Sequence, residues 1–120
     1  MTKRVSVIPV HAAVTADSAV TVDTSTLSDM CIIVVYTRSG SSTGTLTCYG
    51  TLDLAATNSY VLGIKPMITG TIDGDGAVDY TTSTTVGYTV EGVHQYIKLD
   101  WNEGTDGATI STYIVGLEDA

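Results

Sequence analysis

Over residues 45–52 the chain alternates strictly: Leu46, Cys48 and Leu52 point one way, and Thr45, Thr47, Tyr49 and Thr51 the other. A period of two with one apolar face is the signature of a half-buried β-strand. The same rhythm returns in residues 84–90, where Val86, Tyr88 and Val90 share a face. It returns again in residues 93–101, where Val93, Ile97, Leu99 and Trp101 do. No segment sustains twelve residues of helical periodicity. The residue types agree, since 21 Thr, 14 Val and 9 Ile make up more than a third of the 120 residues. Branching at Cβ stiffens χ1 and suits a pleated surface better than a helix.

Weaker strand signals fill the rest of the chain. Residues 5–8 are closed by Pro9, which lacks an amide donor and belongs on a sheet edge or at a strand end. Residues 19–23 alternate and run into a turn at 24–26. Residues 30–37 are the most apolar segment, expected to be covered on both faces, and residues 38–44 read as a hairpin loop. Further strands are expected at 60–64, 67–72, 77–82 and 108–115, with an acidic tail at 117–120. The expected fold is all-β, an antiparallel β-sandwich or jelly roll of about eight or nine strands with an extended N-terminal arm. The division is an arm at 1–18 and a sandwich domain at 19–120. Two packed sheets would bury Ile32, Val34, Leu46, Tyr88, Ile97, Leu99, Trp101 and Ile110.

Charge narrows the partners. The net charge is −8, and the five cations Lys3, Arg4, Arg38, Lys65 and Lys98 form no cluster beyond the terminal pair. Nucleic-acid binding needs clustered Lys and Arg to neutralise phosphates, and anionic membranes make the same demand. Neither partner is expected. No apolar run approaches the ~20 residues of a membrane span, and no signal peptide is legible, so synthesis in a cytoplasm is expected. Cys31 and Cys48 lie in strand segments outside any CxxC motif. They read as buried thiols, with a disulfide as the alternative if a tight hairpin near Ser39-Gly40 sets them opposite each other.

Few residues suggest chemistry. Asp73, Asp75 and Asp79, spaced by Gly, form a weak calcium candidate, but a third early ligand and a distant Glu are missing, and Asp-Gly pairs equally serve hairpin turns. His94 is expected on the exposed face of its strand, opposite Ile97 and Leu99, and His11 in the polar part of the arm. Asp100 and Glu103 flank Trp101 and could form an acid pair, although carboxylates beside a turn are usually solvated. No nucleophile elbow is present. The expectation is no enzyme, no cofactor and no metal. The seven Tyr combine a flat apolar body with a polar tip and suit interfaces.

Two stretches together carry a resemblance. Thr43-Gly44-Thr45-Leu46-Thr47-Cys48-Tyr49-Gly50-Thr51-Leu52-Asp53 follows an apolar strand and a polar loop. Later come Val93-His94-Gln95-Tyr96-Ile97-Lys98-Leu99 and then residues 104–116, which begin Gly104-Thr105-Asp106-Gly107 and end in Gly116. This order resembles small β-sandwich virion proteins of tailed bacteriophages, most of all head decoration (cement) proteins. Thr51 stands where Ser is usual there, and no Trp follows Asp53. The resemblance implies a non-enzymatic protein on the capsid surface that docks on the major capsid protein and stabilises the shell, as a homo-oligomer, trimer or dimer. Val5, Val7, Ile8 and Val10 are then the expected arm contacts, and Tyr49, Tyr96 and Tyr113 the candidates for a docking face on the body. The alternatives are a carbohydrate- or receptor-binding module of a tail or fibre, and a tail-tube or head–tail connector subunit.

Overall fold

The computed structural model describes residues 2–66, 77–104 and 108–119. Its first five strands are β1 (Lys3–Val14), β2 (Ser18–Asp23), β3 (Ser28–Thr37), β4 (Gly44–Thr51) and β5 (Ser59–Val61). The other five are β6 (Ile64–Pro66), β7 (Ala77–Tyr80), β8 (Thr84–Val90), β9 (Tyr96–Glu103) and β10 (Thr109–Asp119). They build two antiparallel sheets: a front sheet in the order β1-β10-β3-β8-β6, and a back sheet in the order β2-β9-β4-β5 with β7 also beside β4. The all-β sandwich expected from the alternation is what forms. It has ten strands, and no helix among the described residues. The segment expected as a strand at 67–72 lies outside them.

Successive strands lie in opposite sheets at every step but one, since only β4 and β5 are both consecutive and paired. The loop over residues 38–44 therefore carries the chain from front sheet to back and does not close a hairpin. Local bonds shape that crossing. The Tyr36 hydroxyl donates to the Ser42 carbonyl at 3.0 Å, the Ser39 amide donates to Ser42 Oγ at 3.0 Å, and Gly40 takes a positive φ of 60°. Cys31 and Cys48 consequently sit in different sheets as free thiols, Cys48 buried and Cys31 only half-buried.

Between the sheets lies the core. Ile32, Val34 and Tyr36 of β3 and Ile110 and Ile114 of β10 meet Leu46 and Cys48 of β4 and Ile97, Leu99 and Trp101 of β9. Each Ile, Val or Leu among them contributes about 1.5–3 kcal/mol on burial. The aromatic centre pairs Trp101 with Tyr36 at 5.7 Å and with Tyr80 at 6.2 Å between ring centroids. Their polar tips are bonded, as burial requires. Trp101 Nε1 donates to Glu103 Oε2 at 3.0 Å, and the Tyr80 and Tyr88 hydroxyls share a 2.8 Å bond.

Residues 3–14 are extended and lie along β10 as the edge strand of the front sheet, in register from Lys3↔Asp119 to Pro9↔Tyr113. The acidic end of the chain is thus part of a strand. Lys3 Nζ meets Asp119 Oδ1 at 2.7 Å and Arg4 Nε meets Glu118 Oε1 at 2.9 Å. Residues 11–18, the polar part of the arm, are held internally by His11. Its Nε2 donates to the Ser18 carbonyl at 3.0 Å, and its Nδ1 accepts from Thr112 Oγ1 at 2.7 Å.

Candidate interaction surface

Three strands of the front sheet are apolar on both faces. On β3 the inward residues Ile32 and Val34 alternate with Cys31, Ile33 and Val35, which point outward and are half-buried. Register extends this outer face across the sheet. Cys31 lies beside Val115, which lies beside Val7, and Ile33 lies beside Tyr113, which lies beside Pro9. Val5 and Leu117 continue the rows at one end, and Val35 at the other. Val5 and Val7 are 65% and 57% exposed. A sandwich sheet that meets water ordinarily alternates apolar in and polar out. Here the outer positions stay apolar from Val5 to Pro9 on β1, from Tyr113 to Leu117 on β10 and from Cys31 to Val35 on β3, with the polar Ser111 beside Val35.

The outer face of the back sheet follows the ordinary rule. Thr45, Thr47 and Tyr49 of β4 lie beside Asn102, Asp100 and Lys98 of β9, and Ala19, Thr21 and Asp23 of β2 flank β9 on its other side. Tyr96 shares this face, and the Lys98 ammonium sits 5.2 Å from the centroid of the Tyr49 ring. The tyrosines singled out from the sequence therefore divide: Tyr49 and Tyr96 lie on the polar face, and Tyr113 on the apolar one. The β1 residues divide too, because Val5 and Val7 face out while Ile8 and Val10 pack against the core.

The missing members of the apolar face were Cys31, Ile33, Val35, Val115 and Leu117. For the three on β3 the signal was the unbroken run Cys31-Ile32-Ile33-Val34-Val35, which breaks alternation and marks a strand needing cover on both sides. A second group of exposed apolar side chains stands at one end of the sandwich, in the loops after β4 and before β9. It comprises Leu52, Leu54 and Val93, the last 93% exposed. Thr51↔Tyr96 pairing brings those two loops together. Leu52 was expected to face inward with Leu46, but the strand ends at Thr51, and it is Thr51 that is buried.

Both histidines are buried, contrary to the exposed position expected for His94. His94 precedes β9, so strand parity does not govern its direction. Its Nε2 donates to the Glu91 carbonyl at 2.6 Å and its Nδ1 accepts from the Tyr60 hydroxyl at 2.7 Å. Each imidazole thus has both ring nitrogens hydrogen-bonded inside a closed packing site. Desolvation holds the His11 pKa below its usual value.

The remaining candidates do not converge. Asp73 and Asp75 lie outside the described residues, and the Asp79 carboxylate accepts from Thr45 Oγ1 at 2.7 Å. Among the described residues no group of His, Cys, Asp and Glu is arranged to hold a metal. Asp100 points out from β9, whereas Glu103 turns to the Trp101 indole, so the two carboxyls face opposite ways.

These features define an antiparallel sandwich, with ten strands among the described residues, one polar outer face and an apolar patch on the other. No protein-family model and no curated protein sequence matches the chain. Among solved structures it is similar to the SPBc2 prophage-derived protein YomS, with a TM-score of 0.63, 11% identity, and coverage of 97% of this chain and 96% of that one. At that identity the likeness is one of fold. PliG of Aeromonas hydrophila, a periplasmic inhibitor of g-type lysozyme, aligns over 98% of this chain and 85% of its own at 10% identity, but its TM-score of 0.25 carries no argument.

Proposed function

We propose that this chain is a non-enzymatic structural protein of a tailed-phage particle, a decoration protein that docks through the outer face of its front sheet onto the major capsid shell. The observation that carries the reading is the apolar outer face of β1, β10 and β3. The largest apolar patch on a folded domain commonly measures about 300–600 Å² and is often functional, which makes this face the first place on the molecule for a partner to sit. The YomS-like fold, found in a prophage-derived protein, and the sequence resemblance to virion proteins support the setting.

Scale decides how such docking would work. Three strands about 4.8 Å apart, with outward residues every ~6.8 Å, present roughly 200–300 Å² of apolar area. A standard interface covers about 800 Å² per partner, so one face alone holds weakly. A repetitive shell offers many equivalent positions, and joined copies gain from multivalency. The carbohydrate-binding alternative would place a sugar on the half-buried tyrosines of the back sheet, but Lys98 already lies over Tyr49.

The test is co-sedimentation of the purified protein with shells assembled from the major capsid protein of its own phage. Saturable binding that survives moderate salt supports the reading. Absence of binding at tens of micromolar rejects it, and rings or tubes in negative stain would favour the connector or tail-tube alternative instead.

A further inference from the structure

Strand β1 is the outermost strand of the front sheet. Its pairing with β10 is unbroken from Lys3 to Pro9, and register shifts begin only after Pro9. Beyond that point the strand is tied into its own chain, by His11 to Ser18 and by the Ala13 amide, which donates to Ser111 Oγ at 3.0 Å. What remains is a regular stretch, residues 3–9, with one side of its main chain turned away from β10. A strand edge of this kind is a template for another strand.

We infer that β1 pairs antiparallel with β1 of a second copy, about a two-fold axis at Ser6. Ser6 is the midpoint of the regular stretch, so this register alone uses all of it. It sets Val5 opposite Val7 of the second copy on both sides of the axis, joining the two most exposed apolar residues of the strand. It also sets Lys3 opposite Pro9. Centring on Val5 would instead place Lys3 against Val7, and centring on Val7 would draw in the irregular region at His11.

Charge points the same way. In a chain of net charge −8, two like copies repel unless they meet at a neutral surface. Lys3 and Arg4 are each matched by Asp119 and Glu118 within the same chain, so the β1–β10 corner is locally balanced. Pro9 and the register shifts stop the pairing from spreading along β1. A two-fold pair of β1 strands uses up the same edge in both copies. The contact therefore closes as a dimer and does not propagate into fibres. A seven-residue seam is smaller than a standard interface, so the dimer is weak and concentration-dependent. It places two apolar front faces side by side in one continuous sheet, but it stands whether or not that face docks on a shell.

The test uses isolated protein. Two variants are made in a Cys31→Ser background, one Val5→Cys and the other Val7→Cys. Opposed Cα atoms in an antiparallel pair lie about 4.5–5.5 Å apart, within disulfide reach, whereas like positions two residues out of step lie beyond about 7 Å. Mixed and mildly oxidised, the variants should give on the order of tenfold more covalent dimer than either one alone. Sedimentation velocity on the unsubstituted chain should show dimer growing with concentration. The inference is overturned if that chain stays monomeric to several hundred micromolar, or if Val5→Cys alone cross-links as well as the mixture.

Discussion

A methyl group added at Gly44 would lie 2.2 Å from Cη2 of the Trp101 indole, because the benzo end of the ring packs against the backbone of β4. Trp101 is fully buried and packed against both Tyr36 and Tyr80, which also touch each other, so the ring has little space into which to withdraw. Gly44→Ala should destabilise the fold by about 1–3 kcal/mol, the usual cost of overpacking a filled core. The chain has a single Trp, so its fluorescence during thermal or urea unfolding reports this directly. An unchanged midpoint would mean the sheets can part there without cost.

The inward half of this packing was legible in the sequence. Ile32, Val34, Leu46, Tyr88, Ile97, Leu99, Trp101 and Ile110 all lie in the core, since period-two alternation reports directly which side chains share a face. The limits of the strand at 84–90 could be read as well. Strand order could not, because only β4 and β5 pair as sequence neighbours, and nothing local in residues 38–44 distinguishes a crossing from a hairpin. Parity also fails wherever a strand stops early. Leu52 and Val93 are exposed and Thr51 and His94 buried because each lies at or just past a strand end. The apolar outer face was legible on β3 alone, as an unbroken run. Its continuation onto β10 and β1 depends on register between strands about a hundred residues apart.

The fold should weaken as the solution is acidified from neutrality toward pH 5, and His11 should account for much of the change. In the folded chain its Nε2–H and Nδ1 are both satisfied in the neutral form, and burial lowers its pKa from 6.5. The unfolded chain therefore takes up the proton first. Stability from this group is fully present above the unfolded pKa near 6.5 and drains away as pH falls toward the lowered folded value. His11→Gln should flatten the dependence of Tm on pH between 7.5 and 5, at some cost in stability at neutral pH. An equal slope in both proteins would assign the effect elsewhere.

The two thiols should differ sharply in reactivity. Cys48 is buried against the core and its pKa is pushed up to about 12, so it should react with a maleimide only when the chain unfolds. Burial also raises the Cys31 pKa, but its side chain is half-exposed on the front face and should label slowly in the native protein. Mass spectrometry after timed labelling should therefore find one modified site in folded protein and two in denaturant. Labelling in the presence of capsid shells extends the measurement, since a docked front face should protect Cys31.

Replacing Ile33 and Val115 by Thr tests the docking face with little disturbance of the fold. Both residues point outward from central strands, and Thr keeps the branching at Cβ that β-structure favours. Each substitution removes apolar area worth about 1 kcal/mol when covered, so the double variant should bind shells roughly 30-fold more weakly. Its Tm should fall by only a few degrees, because nothing in the core has changed. The control is Thr47→Val on the polar face of the back sheet, which should leave shell binding as it was. Docking that resisted the front-face pair and responded to Thr47→Val would move the interface to the other sheet, and the apolar face would then need a different occupant.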